Sequence, residues 1–200
     1  MGKIKTALEI ALERTESIKS DKAAIEQFEA KQTGKRLANS FLENPEKSAK
    51  ALEDALKNAP KEQRTSLKEG MFETLLSRIT LPVAKEDEAH LHDVGKGLQA
   101  IIKNSHFHGL YRQMLDILSR YLEENVQYED AVKRQYEPRL RKKEAELSKR
   151  YGQPVKLDPF QDPEFVSFYK QNMEALRANY QAVVDEARQE AVEAFENAPV

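Results

Sequence analysis

Nine residues between 165 and 195 recur with an 11-residue period: Phe165, Leu176 and Ala187; Tyr169, Tyr180 and Ala191; Met173, Val184 and Phe195. All nine are apolar or aromatic. Eleven residues in three turns is 3.67 per turn, close to the natural winding of an α-helix, so the stripe stays on one straight face. A strand would scatter these residues over both faces. The segment therefore predicts one long helix whose apolar side must be covered along its whole length. Asp162-Pro163 supplies a start, with Asp as cap and Pro just inside, and Glu164 follows where the helix dipole favours an acid.

The cover lies upstream. Leu110, Met114, Leu118, Leu122, Val132, Tyr136, Leu140 and Leu147 form a second, less regular stripe. Residues 151–163 between the two arms hold three prolines and one glycine and read as a tip. The pattern predicts an antiparallel, coiled-coil-like helical hairpin over residues 107–200. A tip centred near Lys156 would set Leu140 near Met173, Tyr136 near Arg177 or Leu176, and Leu118 near Phe195. Pro138 removes a backbone bond inside the first arm and predicts a kink. Asn125 and Glu129 interrupt the stripe. They are expected to face water where the arms splay, or to meet polar partners on the N-terminal helices.

Residues 1–106 read as a separate helical region, packed on or beside the hairpin, so the fold class is all-α. Ile4, Leu8, Ala11, Leu12 and Ile18 suggest a first helix over 3–17. Ser20 or Asp21 would cap a second, reaching Leu42, with Ala24, Ile25, Phe28, Leu37, Ala38 and Phe41 inward. The polar stretch 29–35, with Gly34, predicts a loosened or broken middle. Pro45 closes it. Further helices are expected over 46–58, from Pro60 to about residue 79, and over 87–104, where Gly95 and Gly97 weaken the last.

The chain has no Cys, which closes disulfide, thiolate and Cys–metal chemistry. No apolar run reaches the ~20 residues of a membrane span, so no membrane contact is expected and the location reads as cytoplasmic. The N-terminus matches the myristoylation pattern through Gly2 and Thr6, but an ordinary N-terminus is the expectation. The net charge of −2 gives no general pull toward nucleic acid. Charge is segregated within the hairpin, however. Residues 133–180 hold 11 Lys/Arg against 7 Asp/Glu, whereas 109–132 with 181–200 hold 3 against 10. The basic focus is Arg139, Arg141, Lys142, Lys143, Lys149 and Arg150, with Tyr151 beside it. These seven are the candidate interaction residues, for an acidic partner or, as an alternative, an anion or nucleic acid.

All four histidines fall within 19 residues, as His90, His92, His106 and His108. A shared metal site would need the helix between the pairs to break at residues 95–97, because the pairs otherwise sit ~24 Å apart. His92-Asp93-Val94-Gly95-Lys96 resembles the H-D-[IV]-G-K motif of metal-dependent phosphohydrolases. That resemblance implies His92 and Asp93 as adjacent metal ligands activating water. The family's upstream His is missing here, and Asp116 and Asp130 are undistinguished candidates for its downstream Asp. Asp158, Asp162 and Glu164 lack the ligand density of a calcium loop, and helix capping accounts for the last two. The chain has no phosphate loop and no nucleophile elbow, so no catalytic residue and no cofactor is expected.

Three segments, residues 3–15, Gly34-Lys-Arg-Leu-Ala38, and the tip from Pro138 to Glu144 with Asp158-Pro and Asp162-Pro-Glu-Phe165, together resemble a bacterial family of unknown function. The resemblance implies a bacterial, cytoplasmic protein and supplies no activity. The reading from the residues is a non-enzymatic helical interaction or scaffold protein that self-associates as a homodimer. A metal-dependent phosphohydrolase and a basic tip that binds anions are its alternatives.

Overall fold

The computed structural model describes residues 7–44 and 49–198, with side chains from residue 22 onward. The Gly2/Thr6 pattern, Ile4 and the Pro45 stop lie outside the described residues, as do the side chains of Leu8, Ala11, Leu12 and Ile18. The described chain is all-α, with six helices and no strand among the described residues: α1 Ala7–Glu43, α2 Lys50–Asn58, α3 Lys61–Ser77, α4 Glu86–Ile101, α5 Ser105–Tyr151 and α6 Pro163–Glu196. It forms two compact units. One comprises residues 1–79, 90–108 and 190–200, the other 80–89 and 109–189.

In the first unit α1 runs unbroken through Ser20 and Asp21, where a boundary was expected. No Gly or Pro interrupts residues 7–33, so a capping residue alone does not stop the helix. Gly34 also behaves differently from expectation. It is buried at the crossing of α1 and α3, where a methyl group on its Cα would stand 2.1 Å from Leu67 O. Gly70 on α3 faces back in the same way, 2.0 Å from Lys31 O. Two glycines thus let the two helix backbones touch. Ala30, Ala38, Phe41, Leu67 and Met71 seal the seam, and Lys31 and Lys35 bridge to Glu73 at 2.6 and 2.9 Å. The polar stretch 29–35 is therefore a packed crossing with ion pairs at its edge. Gly97 on α4 packs against Leu75 and Phe41. Ala24, Ile25 and Phe28, expected inward, are exposed instead. α1 is 37 residues long and α3 only 17, about 55 against 25 Å, so α3 cannot run along the whole of α1.

In the second unit α5 and α6 pair antiparallel. None of the nine residues of the α6 stripe is exposed, and Phe165 and Tyr180 form the seam with α5. The register differs from expectation by about twelve residues, a little over three turns. Tyr136 meets Phe165, with ring centroids 5.2 Å apart. Tyr121 meets Tyr180 at 4.8 Å; Phe195 belongs to the first unit and stacks there on Phe72, at 4.1 Å, rather than meeting Leu118. The reason lies in the tip. Gly152, at φ +69°, reverses the chain immediately after α5. The following segment then lies back along the end of α5, with Val155 N donating to Ser148 Oγ and Leu157 N to Glu144 Oε1, both at 2.8 Å. The tip is an immediate reversal followed by a return, not a symmetric loop about Lys156.

Pro138 sits inside α5, which is helical on both sides of it. Glu129 neither faces water unpaired nor meets the N-terminal helices. It pairs with Lys133 at 2.6 Å and bonds the Tyr169 hydroxyl across the hairpin. Tyr180 donates to Glu124 and Tyr128 to Asn172 at 3.4 Å. The seam is an aromatic core whose polar ends are tied to the opposite arm.

Candidate functional site

The hairpin tip carries the densest polar chemistry of the second unit. Asp162 caps α6, its Oδ1 accepting Glu164 N at 3.1 Å. The residue is only 8% exposed. A buried carboxylate needs several donors to offset its lost hydration, and Lys143 and Tyr136 supply them. Lys143 Nζ donates to Asp162 Oδ1 and Oδ2 at 2.9 and 2.8 Å and to Glu164 Oε2 at 2.8 Å. The Tyr136 hydroxyl donates to Asp162 Oδ2 at 3.0 Å. The Lys143 bonds hold the Asp162 carboxyl below its ordinary range. Asp162 and then Glu164 raise the Lys143 ammonium. Burial, then the bond to Asp162, pushes the Tyr136 phenol up. Among the described residues no buried side-chain nitrogen or oxygen lacks a partner. The cation within the acidic cluster of the tip is a lysine, and Asp158 caps the short turn Pro159–Gln161 through Phe160 N, at 3.0 Å.

This network divides the seven candidate residues. Lys143 points inward and is consumed. Arg141 pairs with Glu137 at 2.6 Å. Arg139 lies over the Tyr136 and Phe168 rings, at 5.8 and 6.0 Å, a cation–π arrangement. Lys142, Lys149 and Arg150 are exposed, and Tyr151 is 63% exposed. The structure therefore does not bring all seven to one surface. Six are exposed, and with Arg139 and Arg141 already engaged by neighbours, Lys142, Lys149, Arg150 and Tyr151 remain on the outer surface, with Glu146 among them. The Lys143–Asp162–Tyr136 cluster went unrecognised in the sequence. Its one signal is that Tyr136 and Lys143 stand seven residues apart, on the same face of α5.

The histidines do not converge. α4 continues through Gly95 and Gly97. His90, His92 and His106 are exposed, and His108 Nε2 stands 2.7 Å from Ile102 O. Asp93 is buried and bound by Lys96 of its own helix at 2.6 Å, which uses the carboxylate that the H-D-[IV]-G-K resemblance would give to a metal. Among the described residues no three His, Cys, Asp or Glu side chains gather in a metal-ligating cluster.

A family of unknown function, DUF6657, matches residues 53–193. The chain belongs to this family. The DUF6657 match contains α3, α4, α5 and the whole tip network, and α1 precedes it. No curated protein and no solved structure matches the chain. Among the described residues no helix is long and apolar enough to cross a membrane.

Proposed function

We propose that the protein is a non-enzymatic helical interaction protein that associates with a second copy of itself through the uncovered part of α1. The observation that carries this reading is the exposure of Ile25 and Phe28, at 58% and 63%. They lie three residues apart on α1, and so on one face of the helix. In sequence, Ile4, Ala11, Ile18 and Ile25 repeat every seven residues, the step that suits a helix-on-helix seam. The α6 stripe offers no comparable face, because none of its nine residues is exposed. Covering Ile25 and Phe28 on both copies removes four large side chains from water, worth about 1.5–3 kcal/mol each. Association itself costs roughly 4–15 kcal/mol, so the balance favours a dimer that dissociates on dilution.

Light scattering behind size exclusion, over loading concentrations of about 1–200 µM, tests this. The wild-type mass should double with concentration. I25K/F28K should remain monomeric with an unchanged helical spectrum. A monomer at every concentration, or a variant that still dimerises, refutes the proposal.

The outward Lys142, Lys149, Arg150 and Tyr151 support a second reading, capture of an acidic partner segment at the tip. Its signature is salt-sensitive binding that K142Q/K149Q/R150Q abolishes. Binding that ignores those changes rejects it.

A further inference from the structure

A cavity of about 380 Å³ opens in the first unit where α1, α2 and α3 meet. Its floor is apolar, made by Ala30 and Leu37 of α1, Ala55 of α2 and Leu67 of α3. Its rim carries two carboxylates, Glu26 and Glu29, and the amides of Asn58 and Gln63. Among the described residues no Lys or Arg lines it. Glu26 and Glu29 stand three residues apart on α1 and so share the face that borders the hollow. The only ion pair that either makes among the described residues is with Lys22, which reaches Glu26 at 3.9 Å from a side chain that is 78% exposed. A surface pair of that kind is weak. Arg36 donates to Thr33 Oγ1 at 3.0 Å rather than to either acid.

The α1–α3 edge is matched differently. There, Lys31 and Lys35 share Glu69 and Glu73, with two of the three contacts at 2.6 and 2.9 Å. At the cavity two carboxylates have one distant lysine between them. The end of α2 adds to the negative potential, because Asn58 and Ala59 form one side of the hollow and a helix dipole is negative at its C-terminus. Two cations near that end are already engaged. Arg64 donates to Ala59 O and Lys57 O at 3.0 and 2.8 Å, and Lys57 pairs with Glu53 and Asp54. The chemistry that complements such a hollow has one positive head for the rim and an apolar body for the floor. At ~30 Å³ per water molecule the cavity holds about a dozen waters, room for a short aliphatic chain and a hydrated head.

We propose that this cavity binds a small primary aliphatic amine, its ammonium between Glu26 and Glu29 and its apolar body against Ala30, Leu37, Ala55 and Leu67. The site is complete within one chain and does not rest on self-association. A protein that proves monomeric at every concentration should bind the amine equally well.

The test is calorimetric titration of the full chain with hexylammonium. Butylammonium tests the need for the apolar body, and hexanoate tests the sign of the charge. Hexylammonium should bind saturably, one per chain, and raise the melting temperature. Butylammonium should bind roughly fivefold or more weakly, since two methylenes no longer reach the floor, and hexanoate should not bind. E26Q/E29Q should weaken hexylammonium at least about tenfold, the scale of losing its charge-assisted contacts. It should leave the melting temperature of the unliganded protein within about 2 °C, as expected of surface substitutions. The proposal is overturned if hexylammonium does not bind, if hexanoate binds as well, if butylammonium binds as tightly as hexylammonium, or if E26Q/E29Q binds as tightly as the wild type.

Discussion

Replacing Gly34 by Ala adds one methyl group, and the α1–α3 crossing determines its effect. In an ordinary helix interior this change stabilises by up to ~1 kcal/mol, because Ala loses less backbone entropy than Gly. Here the methyl would stand 2.1 Å from Leu67 O, whereas ordinary contact begins near 3.4 Å. The obstacle is backbone, so no side chain can rotate away, and the helices must separate by about 1 Å. A gap of that size forfeits roughly a quarter to a half of each facing dispersion contact, along a seam that buries Ala30, Ala38, Phe41, Leu67 and Met71. Overpacking of this kind costs about 3 kcal/mol, the upper end of its usual range. After the propensity gain, the net loss is about 2–3 kcal/mol. For a chain of this size that lowers the melting temperature by roughly 4–12 °C. Gly109→Ala is the control. Gly109 lies in α5, and a methyl there meets nothing within 4 Å. The same substitution should raise the melting temperature there by roughly 2–4 °C. Gly97→Ala should fall between the two, since its obstacles are the side-chain ends of Leu75 and Phe41. Thermal melts followed by circular dichroism at the helical band decide the matter. A Gly34→Ala protein as stable as the wild type, or one shifted in the same direction as Gly109→Ala, would show that the two backbones do not touch.

Other consequences can be measured on the same material. Asp162→Ala removes the α6 cap and the acceptor for Lys143 and Tyr136, and should cost about 2–4 kcal/mol in urea unfolding; a loss under ~1 kcal/mol would mean the tip network adds little. Because the Asp162 carboxyl is held low, chiefly by Lys143, its contribution is present above about pH 4 and disappears as pH falls below that. Asp162→Asn should therefore flatten the acid limb of stability against pH, and an unchanged limb would contradict the ion pair. The Lys143 ammonium is raised, so its share is present below about pH 10.4 and fades above it. Burial is the first cause that raises the phenols of Tyr111, Tyr136, Tyr169 and Tyr180, the last to about 12. Ultraviolet titration of the seven tyrosines should show four ionising above the ordinary range until alkaline unfolding, and a single transition near pH 10 would refute their burial.

The hairpin was legible because its signal is repetitive. Nine apolar residues at a fixed period outvote any local exception, and Asp162-Pro163 marked the start of α6 correctly. Its register was not legible. Register depends on where the chain reverses, and that rests on Gly152 alone, in a tip that also contains three prolines. The N-terminal region failed for a related reason. Ser20, Asp21 and Gly34 have one meaning at a helix end and another inside a helix, and sequence spacing does not say which applies. Gly34 is informative only together with Gly70, 36 positions away, because each glycine makes room for the other's backbone.

The tip shows the same limitation in its charges. Arg139 to Lys143 looks like one basic patch, but the helix distributes its members over different faces. Lys143 stands two turns beyond Tyr136, which is fully buried, and so turns toward the acids that cap α6. Arg139 stands three residues beyond Tyr136, over its ring, and Arg141 pairs along the surface with Glu137. Three cations are left, Lys142, Lys149 and Arg150, with Glu146 between them. Three phosphate contacts would give a salt dependence of only about 0.9 per contact, well short of the 6–10 contacts typical of a protein held on a duplex. A short acidic segment of a protein is a better match in size, because it needs only two or three carboxylates and can also use the exposed ring of Tyr151. Residues that read in one dimension as a single basic focus for an acidic partner, or alternatively for an anion or nucleic acid, are thus reduced, once the helix assigns their faces, to three outward cations beside one exposed ring.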